Sequence, residues 1–88
     1  MANLLVKFAV YGALRNGNQD NTEAAIVTSA LQTAINNSPN GNGVVRINNA
    51  NMGGDPARGV QKHFAAIVEV DGRDRPFACL ENQTIDFT

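Results

Sequence analysis

One loop of the chain, residues 48–62, carries side chains suited to ligand binding. Its three glycines can turn backbone N–H groups toward an anion, and two basic residues near its end would add positive charge. Its asparagines offer both donors and acceptors, and one aspartate adds a carboxylate. We predict that the ligand-binding residues are Asn49, Asn51, Asp55, Arg58 and Lys62.

The same loop also has a purely structural interpretation. Glycines adopt positive φ in turns, and Asp55-Pro56 can open one, with the carboxylate accepting backbone hydrogen bonds. A calcium ion would need about six to eight oxygen ligands, and Asp55 is the only acid in the loop, so no metal site is predicted. No Gly-Lys-Ser/Thr sequence follows, so the loop is not a nucleotide-binding P-loop.

Cys79 and His63 are the single cysteine and the single histidine, and together they suggest thiol chemistry. A thiol nucleophile needs a base within hydrogen-bond reach, a residue to orient that base, and an oxyanion hole. Cys79 stands in the apolar run Ala78-Cys79-Leu80, which favours a buried small side chain instead. We predict no catalytic residues, and a Cys-dependent hydrolase using Cys79 and His63 stays open as an alternative function.

The elements that must position these side chains follow from hydrophobic periodicity. Residues 4–11 alternate as a strand, with Leu4, Val6, Phe8 and Val10 on one apolar face and Gly12 as its end. Residues 22–37 carry apolar side chains at helical spacing, with Asp20, Asn21 or Thr22 as the cap. Further strands are predicted at 44–48, 62–70, 76–80 and 84–87, with a hairpin turn at Asp71-Gly72.

This order, β-α-β-β-β-β, predicts an α+β fold with one helix packed on a largely antiparallel sheet. The 88 residues form a single small domain, 1–88. The predicted core combines the apolar faces of the helix and the strands. Its members are Phe8, Val10, Val27, Leu31, Ile35, Phe64, Val68, Phe77 and Ile85.

Composition excludes several functional classes. Seven Lys+Arg against eight Asp+Glu give a net charge of −1, so no basic surface is available for nucleic acid. No apolar stretch approaches the roughly 20 residues of a membrane span, and the start lacks the basic head of a secretory signal. We expect a cytoplasmic protein without a cofactor, with unconventional export left open.

Several short motifs resemble a known family. They are Tyr11-Gly12-Ala13, the loop Asn49-x-Asn51-Met52-Gly53-Gly54-Asp55-Pro56-x-x-Gly59-Val60-x-Lys62, the turn Asp71-Gly72, and an acidic residue before Thr84-Ile85. The pattern resembles the domain of unknown function at the C-terminus of some DnaJ-type mitochondrial proteins, which also occurs in small bacterial modules. Residues 21–37 depart from it, since family members often carry a shorter segment there. The resemblance implies a non-catalytic accessory or interaction module.

We therefore predict a small non-catalytic protein-interaction module with an unknown protein partner. One alternative is carbohydrate or small-ligand binding through the Asn/Gly-rich loops, although sugar sites usually add an aromatic platform and only Tyr11 lies near a loop. A homodimer through the terminal strand 84–87 or an uncovered sheet face is a further hypothesis, because a small sheet leaves edges unprotected.

Overall fold

The computed structural model describes residues 3–17 and 22–88. Within this part of the chain, the helix α1 and six strands, β1 to β6, follow one another. They are β1 (Leu4–Leu14), β2 (Thr22–Ile26), α1 (Thr28–Asn36), β3 (Val44–Arg46), β4 (His63–Val70), β5 (Arg73–Leu80) and β6 (Thr84–Asp86). The last four strands agree with the predicted ones to within three residues at each end.

The strands form two antiparallel sheets. The larger has the order β2-β1-β4-β5, and β3 pairs with β6 in the smaller. The helix α1 and the β3–β6 pair contribute buried side chains to one core with one face of the larger sheet, which we call the inner face. The opposite side is the outer face. The predicted α+β class, one helix on a largely antiparallel sheet with the succession β-α-β-β-β-β, is confirmed, with one strand added before the helix.

The added strand, β2, occupies the first third of the predicted helix. It pairs with the second half of β1, from Val10↔Ile26 to Leu14↔Thr22. The backbone N–H and C=O groups in this half of β1 need hydrogen-bond partners, and β2 supplies them. Tertiary pairing of this kind overrides the helical propensity that the apolar pattern suggests. Thr22 therefore lies in a strand instead of capping a helix, while Asp20 and Asn21 lie outside the described residues.

The sequence predicts that β1 ends at Gly12, but in the structure Gly12 lies inside the strand. A Cβ at this position would come within 2.3 Å of the Ala24 Cα and of the Glu23 carbonyl oxygen. The absence of a side chain therefore lets β2 approach β1 closely, which is one of the uses of glycine in a strand.

A β-bulge at Lys7 changes which side chains of β1 face the core. Val6 pairs with Val68 but Phe8 already pairs with Ile67, so Lys7 is the extra residue. The alternation shifts by one, so Ala9 and Tyr11 are buried where Phe8 and Val10 were predicted. Phe8 is 49% exposed and points to the outer face.

The rest of the predicted core is largely confirmed. Val27, Leu31, Ile35, Phe64 and Val68 are buried, and Phe77 and Ile85 are partly buried against them. The sequence pattern missed several buried residues from β3, from the loop after it and from the chain's last residues. These are Val45, Ile47, Met52 and Phe87.

Polar side chains of α1 complete the free edge of β1. The Val6 N–H donates to Gln32 Oε1 at 2.8 Å, and Gln32 Nε2 donates to the Leu4 carbonyl at 3.1 Å. The Ala9 N–H donates to Thr28 Oγ1 at 3.1 Å. These side chains bond the half of β1 that β2 does not reach, so the helix takes the place of a strand neighbour.

The predicted hairpin turn between β4 and β5 is confirmed. Asp71 and Gly72 both have positive φ, at 51° and 87°. A two-residue turn with both φ values positive matches the right-handed twist of the strands that it joins. The Asp71 carboxylate also accepts a hydrogen bond from the Asn3 N–H at 2.8 Å.

Candidate functional site

Lys62, predicted to add charge to the loop surface, lies buried where the loop enters β4. The residue is 2% exposed. Its ammonium nitrogen lies 2.9 Å from Asp55 Oδ1 and 3.5 Å from Glu81 Oε1, and it donates to the Val60 carbonyl at 2.8 Å. The charge of Lys62 is therefore neutralised inside the protein. We call Asp55, Lys62 and Glu81 the lysine latch.

The lysine latch changes the pKa of its members. Burial lowers the pKa of Lys62, but the hydrogen bond to Asp55 and the charge of Glu81 outweigh burial, so the pKa is raised overall. The hydrogen bond from Lys62 lowers the pKa of Asp55, and the Ala57 N–H, which donates to the same carboxylate at 3.1 Å, acts in the same direction. Both groups are therefore charged over a wide pH range.

The side chain of Asn49 forms a hydrogen bond with a buried residue of the core. The Tyr11 hydroxyl donates to Asn49 Oδ1 at 2.7 Å, and Tyr11 itself is fully buried. Burial, together with the negative charge of Glu81, raises the pKa of Tyr11 to about 12. This contact ties the loop to the centre of β1.

Asn51 and Arg58 differ in how they are used. The Asn51 N–H donates to Asn48 Oδ1 at 2.9 Å, and its side-chain amide donates to the Arg46 carbonyl at 2.7 Å, so Asn51 holds the loop to β3. Arg58 is exposed, and its carbonyl accepts a hydrogen bond from Arg15 Nη2 at 3.0 Å. Ligand binding by Asn49, Asn51, Asp55, Arg58 and Lys62 stays a prediction.

These contacts predict different effects for two substitutions in the same loop. Asp55→Ala removes the partner of a buried cation and should lower the melting temperature by several degrees. Arg58→Ala removes an exposed side chain and should leave the melting temperature nearly unchanged. Differential scanning calorimetry of both variants provides the test. An unchanged melting temperature for Asp55→Ala would show that the lysine latch does not stabilise the loop.

The raised pKa values also predict how stability depends on alkaline pH. Tyr11 holds its proton more tightly in the folded than in the unfolded chain, so its contribution is present below pH 10 and is lost as the pH rises toward about 12. Lys62, whose pKa is also raised, loses its contribution above its usual pKa of about 10.4. We expect the urea concentration at the unfolding midpoint to fall as the pH rises from about 10 toward about 12, and to fall less in Tyr11→Phe. Parallel curves for the two proteins would contradict the role of Tyr11.

The structure does not bring Cys79 and His63 together. Cys79 pairs with Phe64 across β4 and β5, so its side chain points to the inner face, whereas His63 pairs with Leu80 and points to the outer face. Burial raises the pKa of the Cys79 thiol, which disfavours the nucleophilic thiolate. The hydrolase alternative therefore lacks the nucleophile–base contact that it requires.

A groove of about 570 Å³, lined by both polar and apolar residues, separates α1 from β3. The polar residues that line it include Thr33, Asn37, Arg46 and Asn51. Among the hollows of the described residues, it is the one that residues of two Asn/Gly-rich loops line together. Tyr11, the aromatic platform considered for a sugar, is fully buried and cannot stack on one. Among the described residues only Phe8 exposes much of an aromatic ring, and it lies elsewhere.

The outer face carries the largest concentration of exposed apolar side chains. Every large hydrophobic residue that is exposed in the described chain lies on it, as the pairing registers show. They are Leu5 (52% exposed), Phe8 (49%), Leu14 (41%), Ile26 (71%), Ile67 (38%) and Leu80 (40%). Exposed apolar side chains gathered on one face mark interaction sites in soluble proteins.

The outer face is uneven as well as apolar, with two hollows between projecting side chains. Small residues such as Ala65 and Ala78 form the floor of an open groove of about 580 Å³, with Phe8, Ile67 and Pro76 on its sides. A second hollow of about 520 Å³ lies beside it, over Gly12 and Ala24. The charges are at one end, where Lys7 Nζ lies 3.6 Å from Asp74 and 3.9 Å from Glu69.

Two features of the site were missed from the sequence, and one of them had a signal. Lys62 stands two residues before Phe64, so strand alternation already places it on the buried side, where a lysine needs an acidic partner. The partner Glu81 is 19 residues away and is brought close by the β4–β5 hairpin. The outer face could not be foreseen, because the bulge at Lys7 reverses the second half of β1.

No protein-family model, curated protein or solved structure matches the chain. The resemblance to the DnaJ-associated domain therefore stays a prediction. Within residues 3–17 and 22–88, no helix is long and apolar enough to cross a membrane. In that same part of the chain, no three His, Cys, Asp or Glu side chains gather where they could hold a metal ion.

Proposed function

We propose that the chain is a non-catalytic protein-interaction module that binds its partner through the outer face. One observation carries this proposal: all six exposed large hydrophobic residues of the described chain share that face. Burying apolar surface is the dominant favourable term in protein association. A two-layer domain that leaves one side of its sheet apolar therefore has a surface suited to a partner.

The other candidate surfaces support binding less well. The loop of residues 48–62 uses Asn49, Asp55 and Lys62 for its own hydrogen bonds and ion pairs. The separation of Cys79 from His63 supports the non-catalytic character of the module. The groove between α1 and β3 has a mixed polar and apolar lining that contains no aromatic side chain.

Affinity capture with matched variants tests this function. The tagged protein, Ile26→Glu and Arg58→Ala are each incubated with lysate of the producing cells, and retained proteins are quantified by mass spectrometry. Ile26 is 71% exposed on the edge strand β2, so the fold should tolerate the change. We expect the wild type and Arg58→Ala to retain the same partner, this chain itself included, and Ile26→Glu to lose it.

Two results would overturn the proposal. Loss of the partner in Arg58→Ala, with retention in Ile26→Glu, would move the binding site to the loop of residues 48–62. Failure of the wild type to retain any protein, itself included, would argue against an interaction module. Circular dichroism of each variant confirms that a loss of binding is not a loss of fold.

A further inference from the structure

We propose that the partner of the outer face is a second copy of this chain, so that two sheets pack face to face about a two-fold axis. This inference rests on the proposed function, since it names the occupant of the same surface. It selects between the two dimer surfaces that the sequence suggests, the terminal strand and an uncovered sheet face.

The terminal strand does not offer an apolar surface for pairing. Phe87 is fully buried against Phe64 and Phe77, and Ile85 is partly buried in the core. Ile85 of β6 packs against the core, and one edge of β6 pairs with β3. The apolar residues that favoured this strand in the sequence are therefore already used within one molecule.

The edges of the larger sheet are also poorly suited to pairing. The edge strand β5 contains Pro76, which lacks an N–H, preceded by Arg73, Asp74 and Arg75. Charged residues and proline are devices that protect strand edges from addition of another chain. At the other side the edge strand is β2, whose five residues offer only a short edge, and α1 bonds the half of β1 that extends beyond β2. These features favour face packing over edge pairing as the mode of self-association.

The area of the outer face is close to the minimum that a specific dimer needs. Four strands about 4.8 Å apart and about eight residues long give a footprint of roughly 19 by 26 Å, or ~500 Å². Two such faces contribute ~1,000 Å² before the relief of the side chains is added. The buried total then approaches the lower end of the range for stable interfaces, about 1,200–2,000 Å².

The outer face carries both projecting side chains and hollows. A two-fold interface brings the same surface of both molecules together, so it needs ridges and hollows on one surface. The grooves over Ala65 and Ala78 lie beside the projecting Phe8 and Ile67. Sheets packed in this way interdigitate their side chains across a layer about 10 Å thick.

Charge does not oppose pairing of two copies. Each chain has a net charge of only −1, so long-range repulsion is small. The ion pairs of Lys7 with Asp74 and Glu69 lie at one end of the face, and both signs are already matched within one molecule. The centre of the face, around Val10 and Ala65, is apolar.

Sedimentation equilibrium over a range of protein concentrations tests the assembly. We expect the wild type to reach twice its 9.4 kDa chain mass. Phe8→Glu and Ile26→Glu each place a carboxylate in the interface and should raise the dimer dissociation constant about 100-fold or more. Thr84→Glu introduces the same charge on β6, away from the outer face, and should leave the dissociation constant unchanged.

Cross-linking then tests which surfaces meet. In a Cys79→Ser background, Ala65→Cys treated with a short thiol-to-thiol cross-linker should give covalent dimers, and Thr84→Cys should give none. A dimer that cross-links through position 84, or that persists in both glutamate variants, would overturn face-to-face packing. A wild type that stays monomeric at every concentration would overturn the second copy as occupant. The proposed function would then survive if lysate capture still depends on Ile26.

Discussion

Replacing Lys62 with methionine should lower the free energy of unfolding by about 3 kcal/mol, because removal of one member of a buried ion pair leaves its partners uncompensated. The side chain of Lys62 is 3% exposed, whereas those of Asp55 and Glu81 are 32% and 17% exposed. The partial exposure of the two acids places the effect at the lower end of the range of about 3–5 kcal/mol for such changes. Urea denaturation at neutral pH measures it.

Lys7 offers a matched control for this measurement. It also lies between two carboxylates, Asp74 and Glu69, but its side chain is 44% exposed. Exposed ion pairs contribute about 0–1 kcal/mol, so Lys7→Met should be nearly neutral. The difference between wild type and Lys62→Met should also shrink as the pH falls below about 4, because Asp55, whose pKa is lowered by Lys62, then takes up its proton. Equal effects of the two substitutions would show that burial does not distinguish the two lysines.

Truncation of Phe87 to alanine should lower the free energy of unfolding by about 3–5 kcal/mol, which is the usual cost of removing a buried aromatic ring. Phe87 is fully buried, and its ring meets those of Phe77 and Phe64 edge-on, with centroids 4.7 and 6.5 Å apart. The cavity left behind would lie between β6 and the inner face of the larger sheet. A loss of this size is a large fraction of the stability of a small domain.

Phe77→Ala is the control for Phe87→Ala. Because Phe77 is only partly buried, its truncation should lower the free energy of unfolding by less. All variants are unfolded at one low protein concentration, so that association does not add to the measured stability. The double variant reports the coupling between the rings, which we expect at about 0.5–1.5 kcal/mol. A Phe87→Ala protein as stable as Phe77→Ala would contradict the central position of Phe87.

The sequence predicted well those elements whose patterns are local. The alternation of Phe64, Ala66, Val68 and Val70 and the Asp71-Gly72 turn fix a hairpin without reference to the rest of the chain. The helical stripe held for Leu31 and Ile35, because both face the sheet one helical turn apart. Local pattern and tertiary structure agree at these positions.

The predictions were wrong where the conformation of one segment depends on contacts with a distant segment of the chain. Residues 22–26 read as helix but pair with β1, and the bulge at Lys7 reverses the sides that Phe8 and Tyr11 face. In the candidate site, the loop could be located but its partners could not. Glu81 meets Lys62, and Tyr11 meets Asn49, across 19 and 38 positions of the chain.

The capping of β1 by α1 has a consequence for amide hydrogen exchange. The N–H groups of Val6 and Ala9 are held by Gln32 and Thr28 side chains, whereas those facing β4 are held by backbone carbonyls. Exchange at these two amides would therefore report the undocking of the helix, while the amides between β1 and β4 report the opening of the sheet. One strand thus carries two sets of protons, each recording a different opening event of the same molecule.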